Sequence, residues 1–334
     1  MSRAEAGAVA VIIVNYGTAV LVIQAVESVL AREHGGRRVE VHVVDNASPG
    51  DDAAVLAAAH AARGWADRGV TFHPEAENHG FGRGNNIVLH KLAAREAPPE
   101  FVLLLNSDAW LENEAIDILA RALEAAPEAA GAGAGILGED GFPAVCAFRF
   151  PTMAGEVGRY IGVGAVERML KTSRVALPPD HEGPVDWVAG ASVMFRFKVL
   201  EKVGFFDPIY FLYFEEVDMM RRMRLLGHPM IYVRAAEVTH IAGVSTEVKS
   251  GYLEDRRRPA YVYESWRFYF HRHHGLAYTL VTAALVAGSA VIHRVAATTR
   301  KKPNGLPAKF LADHWRHVIW PLVRGGRASG GRSE

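Results

Sequence analysis

Short apolar runs alternate with helical stretches over the first 140 residues, and that alternation leaves the chain few folds to adopt. Residues 8–14, 39–44, 70–72, 101–105 and 132–137 read as strands, with helical patterns between them near 18–32, 51–66, 84–95 and 112–125. The runs at 8–14 and 101–105 are apolar throughout, the mark of strands covered on both faces. Units of this spacing predict an α/β architecture: a Rossmann-like, mostly parallel central sheet flanked by helices. Ligands of such sheets bind beyond the carboxyl ends of the strands. Polar residues gather there: Asn15 and Tyr16 after the first strand, Asp45 to Ser48 after the second, and Asn106-Ser107-Asp108 after the fourth.

The remainder is read more coarsely. Residues 140–185 form an irregular connector, and 185–197 is strand-like around Gly190. Residues 215–226 have helical period and end at Gly227-His228-Pro229. Two short strands are predicted at 230–233 and 237–240. The 334 residues are 50% hydrophobic, enough for one large domain and an appendage. We place a catalytic domain at 1–250 and a helical, basic and apolar segment at 251–334. Lys plus Arg and Asp plus Glu both number 37, which argues against nucleic acid as a partner. The single cysteine, Cys146, excludes an intrachain disulfide and a cysteine zinc site.

Each polar cluster admits a chemical and an architectural reading. Asp45 sits where a carboxylate can accept from a nucleobase N–H or from ribose hydroxyls; it can equally hold its turn or the helix that follows. Asn78 to Asn86 is a Gly-rich segment in which Arg83 could meet phosphate, or a plain strand–helix loop. It matches neither the phosphate-loop nor the dinucleotide fingerprint. Asp108 closes a triplet directly after a buried strand, a position for a metal and a diphosphate, or else for capping a helix near residue 112. Glu215, Glu216 and Asp218 crowd one helical turn behind an aromatic run. Carboxylates this close raise at least one pKa, which suits general-base work. Acids at a helix start are also favoured by the dipole, and Asp218 with Arg222 makes an i,i+4 pair. His240 is a ligand if the fold brings it to Asp108 and structural otherwise. Trp187 and Gly190 suit a sugar ring or ordinary core packing.

In order, residues 11–16 (Val-Ile-Ile-Val-Asn-Tyr), 43–48 (Val-Val-Asp-Asn-Ala-Ser), 78–86, 103–108 (Leu-Leu-Leu-Asn-Ser-Asp), 190–192 and 206–218 closely resemble the family 2 glycosyltransferases. The similarity covers roughly 8–245 and is nearest to bacterial rhamnosyltransferase-like members. It implies a GT-A fold, inversion at the anomeric carbon and a nucleotide diphosphate bound through Mg2+ or Mn2+. It also implies a metal-dependent hexosyltransferase for bacterial surface polysaccharide. The donor would be dTDP- or UDP-linked, with rhamnose the first choice of sugar, and the acceptor a glycan or lipid-linked glycan. Asp45 would hold the nucleoside. Asn15, Tyr16, Arg83, Asn86, Asn106, Trp187 and Gly190 would complete the donor site. Asp108 would be the last acid of the metal motif, and His240 would meet the metal or diphosphate. Glu216 would be the base, with Glu215 in reserve. This chain departs from many members in having Asn106 in place of Asp and Glu216 in place of Asp. The Asn106 change keeps one alternative in view, a catalytically degenerate scaffold that binds glycan or membrane.

Residues 276–292 are uncharged and apolar, at the lower limit for a spanning helix. Basic residues flank them, including Arg256, Arg257, Arg258, Arg267, Arg272, Arg294, Arg300, Lys301 and Lys302. That pattern suits an interfacial anchor on anionic lipid; a hairpin packed on the catalytic domain and a true span are the alternatives. The expected location is cytoplasmic, peripheral to the inner face of the cell membrane.

Overall fold

A computed structural model describes residues 7–162, 175–241, 256–300 and 305–325. Lys301 and Lys302 lie outside the described residues. Strand β1 (Val9–Asn15) is buried along almost its whole length, which explains its unbroken apolar run. It pairs in parallel with β2 (Val39–Asp45), and Asn15 and Asp45 are register partners at their carboxyl ends. β3 (Val70–Pro74) adds in parallel to β2, and β4 (Phe101–Leu105) to the other side of β1. The connecting helices are α1 (Ala19–Leu30), α2 (Asp52–Ala62) and α3 (Gly80–Ala93). α1 buries Ala19, Val22, Val26 and Val29, the one-sided spacing of a helix laid on a sheet.

The second half of the sheet is mixed. β5 (Ala109–Leu111), α4 (Ala115–Ala125), β6 (Gly131–Leu137), β7 (Ala147–Phe148), α5 (Met153–Ile161), β8 (Gly183–Val185), β9 (Trp187–Val188), β10 (Ser192–Arg196), α6 (Phe197–Val203), α7 (Glu215–Leu225) and β11 (Met230–His240) follow in the chain. β10 is inserted antiparallel between β4 and β6. β11 runs parallel to β6 and antiparallel to β5. The order is therefore β3-β2-β1-β4-β10-β6-β11-β5, with β8 also on β11 and β7 paired with β9 apart.

Three local expectations change. The two short strands predicted at 230–233 and 237–240 are one strand, β11, with a register shift between Val233 and Glu237. Gly135 of β6 makes room for that bulge: a Cβ there would lie 2.5 Å from the Arg234 carbonyl oxygen. The helix predicted to start at residue 84 starts at Gly80, so the Gly-rich segment is helix rather than loop. Its glycines buy proximity: a Cβ on Gly82 would stand 3.0 Å from Phe206 Cβ, and one on Gly84 3.0 Å from Val14 Cγ1. Third, the connector at 140–185 contains β7, α5 and β8.

Asn86 of α3 fastens this packing. Its Nδ2 donates to the Phe206 carbonyl at 2.8 Å, and its Oδ1 accepts from Phe206 N at 3.1 Å. Asn86→Ala should cost about 1–3 kcal/mol, because both backbone groups of Phe206 lose their partner. Denaturant unfolding checks this, and an unchanged midpoint would mean the clamp contributes nothing.

The chain divides into two compact units. One comprises Met1–Phe148, Ala176–Asp207 and Glu216–Ser250; the other comprises Arg149–Val175, Pro208–Glu215 and Gly251–Glu334. The second unit is built on α8 (Ala260–Thr299), interrupted at Gly275 (φ 78°, ψ 173°), and on α9 (Phe310–His314). α5 is tied to α8 by Trp266 Nε1 donating to Glu156 Oε2 at 2.8 Å and by Met153 N donating to the Tyr278 hydroxyl at 2.9 Å. Residues 208–214 form a strap on α8. Ser265 Oγ donates to the Leu212 carbonyl at 3.0 Å, and Phe214 packs on Tyr269 with ring centroids 5.2 Å apart. Tyr213 and Phe214 both adopt left-handed backbone (φ 68° and 67°). Two consecutive bulky residues in that region are strained and persist only where packing holds them.

Candidate active site

The carboxyl ends of β1 and β2 are joined by a buried polar network. Asn15 Nδ2 donates to Asp45 Oδ1 at 2.8 Å and lies 2.9 Å from Ser48 Oγ. Ser48 Oγ donates to the same Asp45 oxygen at 2.6 Å, while Ser48 N approaches Asp45 Oδ2 only at 3.4 Å. Asp45 thus holds its turn through Oδ1 and keeps Oδ2 nearly uncommitted. Asn15 Oδ1 accepts from Thr18 N and Thr18 Oγ1 at 3.1 and 2.9 Å, and Thr18 Oγ1 contacts Ser107 Oγ at 2.8 Å. This chain of contacts links the end of β1 to the triplet after β4. Asp52 of α2 supplies the cap that α1 lacks, its Oδ2 accepting from Ala19 N at 2.9 Å. Tyr16 stands exposed beside this network.

Asp108 follows β4, and the helix expected near residue 112 is present but begins three residues later. β5 follows directly and α4 starts only at Ala115, so Asp108 is not a helix cap. Its buried carboxylate instead faces the last residue of β11: Asp108 Oδ1 and His240 Nε2 are 3.0 Å apart. Asn106 Nδ2 lies 3.2 Å from the same nitrogen. Backbone bonds fix the arrangement, with Ile241 N donating to Asp108 O at 3.1 Å and Asn106 N to Ala191 O at 2.9 Å. One imidazole nitrogen cannot both donate to Asp108 and accept from Asn106. A cation at this point removes the conflict, because all three side chains can then present lone pairs once the Asn106 amide turns its oxygen inward.

The spacing fits such an ion. Adjacent ligands of an octahedral Mg2+ or Mn2+ site with bonds of about 2.1 Å are about 3.0 Å apart. Among the described residues no group of three or more His, Cys, Asp or Glu forms a complete cage. Mg2+ at phosphate sites ordinarily takes only one or two protein carboxylates and fills its shell with water and phosphate oxygens, so a pair is enough.

Glu216 opens α7. Its Oε2 is buried and has no hydrogen-bond partner. The residue as a whole is partly exposed, but Oε2 is desolvated, and burial pushes the carboxyl pKa up to about 7. Glu215 is almost fully buried beside it. Asp218, fully buried, accepts from Arg222 Nε at 2.8 Å. Arg222 also binds the Val203 carbonyl, and the Phe205 carbonyl at 2.7 Å. Asp218 therefore anchors α7 to the chain that leads into it.

The other predicted residues are less concentrated. Arg83 turns back on its own helix, with Nε donating to the His79 carbonyl at 2.7 Å. Asn86 is engaged with Phe206. Trp187 stacks on Phe148 at 4.2 Å in the β7–β9 ribbon, and a Cβ on Gly190 would stand 3.4 Å from the Phe81 ring. The structure thus brings together Asn106, Asp108 and His240 in one place, and Asn15 with Asp45 in another. Thr18, Ser48 and Asp52 were missed. Their only sequence signal is a hydroxyl or acid just past a strand end, and their partners lie up to 89 residues away.

A family model for glycosyltransferase like family 2 matches residues 6–261. The chain belongs to that family. It is 26% identical over 182 residues to rhamnosyltransferase WbbL of Escherichia coli (strain K12), covering 49% of this chain and 61% of that protein. It is 29% identical over 186 residues to an N-acetylglucosaminyl-diphospho-decaprenol L-rhamnosyltransferase of Mycobacterium tuberculosis (strain CDC 1551 / Oshkosh), covering 53% of this chain and 60% of that one. The match spans about three fifths of the length of these curated relatives. Among solved structures, mannosyltransferase PcManGT from Pyrobaculum calidifontis, in complex with GDP-Man and Mn2+, superposes with a TM-score of 0.53 at 17% identity. That superposition covers 96% of this chain and 83% of the other. S. aureus TarS 1-349 in complex with UDP gives 0.52 at 13% identity, covering 89% and 75%. These family 2 and GT-A likenesses establish a GT-A fold.

Proposed function

We propose that this family 2 protein is an inverting glycosyltransferase that moves a sugar from a dTDP- or UDP-linked donor to a glycan or lipid-linked acceptor of a bacterial surface polysaccharide. The sugar we assign is rhamnose, on the strength of the two rhamnosyltransferase relatives. The observation that carries the reading is the meeting of Asp108 and His240 at 3.0 Å, at the carboxyl end of β4 and beside Asn106. Asp108 and His240, with the Asn106 oxygen, would hold Mg2+ or Mn2+, which neutralises charge on the diphosphate leaving group. Asp45 Oδ2, with Asn15 and Tyr16 beside it, would receive the nucleoside.

Glu216 takes the proton of the acceptor hydroxyl as that oxygen bonds to the anomeric carbon. The bond from that carbon to the diphosphate oxygen breaks on the opposite face, and the nucleoside diphosphate leaves with its electron pair. A base with a pKa of about 7 is half ionised at neutral pH, which suits accepting a proton there. A lipid-linked acceptor implies work at the inner face of the cell membrane. The test is turnover across a panel of nucleotide sugars with Mg2+ or Mn2+. Release of dTDP or UDP from one donor, with the product inverted, is expected. No binding and no release from any donor would overturn the assignment and favour the non-catalytic scaffold.

A further inference from the structure

The second half of α8 is inside out for a helix in water. Successive helical residues turn by about 100°. One face, buried, carries Thr279, Thr282, Ala283, Val286, Ser289 and Ala290. The opposite face carries Val281, Leu285, Val291, Ile292 and Val295, each between 44% and 59% exposed. Hydroxyls therefore point inward and branched apolar side chains outward. The inward hydroxyls need no outside partner: Thr279 Oγ1 donates to the Gly275 carbonyl at 2.7 Å, and Thr282 Oγ1 to that of Tyr278 at 2.8 Å. The small buried residues let the neighbouring segment come close, and His314 Nε2 sits 3.0 Å from the Ala283 carbonyl oxygen. A contiguous exposed apolar face of this kind marks an interaction surface.

We propose that this face lies flat in the surface of an anionic bilayer, with α8 parallel to the membrane plane. The proposal gives a surface to the membrane partner named above. It rests on the geometry and charge of the second unit, not on the transferase reading. Charge selects the partner. Residues 256–302 contain nine Lys and Arg against a single Glu, Glu264. A second copy of the same surface would bring like charge to like; anionic lipid brings the complement.

By length and composition α8 could cross a membrane, but two features favour the flat placement. The uncharged run Leu276–Ile292 is 17 residues, about 26 Å of helix, short of the roughly 30 Å hydrocarbon core. The buried face is also covered by the segment carrying Asp313, which is paired to Arg257 at 2.7 Å, and His314. A crossing α8 would draw the Asp313–Arg257 pair toward hydrocarbon. Lying flat, it immerses only the apolar face. Exposed Trp315 and Trp320, on the segment that continues from His314, are of the amphipathic kind that settles at headgroup level.

The test is co-sedimentation of the full chain with phosphatidylglycerol–phosphatidylcholine vesicles, in a salt series, against pure phosphatidylcholine. The wild type should bind anionic vesicles, lose binding as salt rises, and be released by alkaline carbonate. The triple substitution Val281→Ser, Leu285→Ser, Ile292→Ser should lower partitioning at least about a hundredfold, near tenfold per immersed side chain. Far-UV circular dichroism and the melting temperature should not change, since all three are exposed. Should the triple variant fail to fold, Ile292→Ser alone, with about a tenfold loss, decides. Equal partitioning of wild type and variant overturns the proposal. So does resistance to carbonate, which would mean a span, or a concentration-dependent dimer that the variant abolishes without vesicle binding. Since no donor is present, failure here leaves the transferase reading untouched.

Discussion

Replacing Glu216 with Gln should lower turnover by about 10²–10⁴-fold, the usual contribution of a positioned base, while nucleotide donor still binds. The amide keeps the shape and cannot take the acceptor proton. Wild-type turnover should rise with pH through about 7 and level off above it, because only the ionised carboxyl acts as base. The variant's residual rate should lack that inflection. Stability should move the opposite way. A buried carboxyl whose folded pKa is raised contributes stability that is complete below the ordinary carboxylate value and is lost as pH rises through about 7. Glu216→Gln should therefore match wild type near pH 4 and be more stable at pH 8, by up to about 3 kcal/mol. Thermal unfolding at the two pH values, beside steady-state kinetics, reads both effects. A variant with full turnover would remove Glu216 as the base and pass the role to Glu215. A stability difference that does not change with pH would show that the carboxyl is not desolvated in solution.

Asp108→Ala carries the second large effect. Loss of the one carboxylate among the three proposed protein ligands should weaken Mg2+- or Mn2+-dependent donor binding by at least about a hundredfold. Binding of nucleotide measured without metal should change little, which separates loss of the ion from collapse of the site. Asp108→Asn keeps the volume and retains an oxygen, so it should recover part of the affinity. His240→Ala should act in the same direction more weakly, since a carboxylate is the stronger ligand for a hard cation. Titration calorimetry with and without metal makes the comparison. Wild-type affinity in Asp108→Ala would dissolve the assignment of the pair.

The parallel half of the fold was legible because its signals are local. β1 and β4 are apolar because both faces are covered, β2 carries the buried pair Val43 and Val44 near its end, and the polar residues that close or follow these strands stand out against that background. The start of α3 was not legible. Glycine normally argues against helix; the approach of Phe206 and Val14 accounts for Gly82 and Gly84, and a positive φ of 73° for Gly80. The bulge in β11 was hidden for the same reason, since it depends on Gly135 of a neighbouring strand.

The site divides along the same line. The amino-acid order alone determined which acids end which strands, the helical start at Glu215, and an uncharged run in a basic frame, because periodicity and adjacency are written within a few residues. Tertiary structure decided that Asp108 and His240 meet, through antiparallel pairing that sets His240 opposite Ala109. It likewise decided that Asn86 fastens backbone, that Glu216 is desolvated, and that the apolar side of α8 faces outward. Each of these turns on which distant segment covers a given side chain. Burial and the contacts of residues more than a hundred positions apart are properties of the packed chain, and no local pattern encodes them.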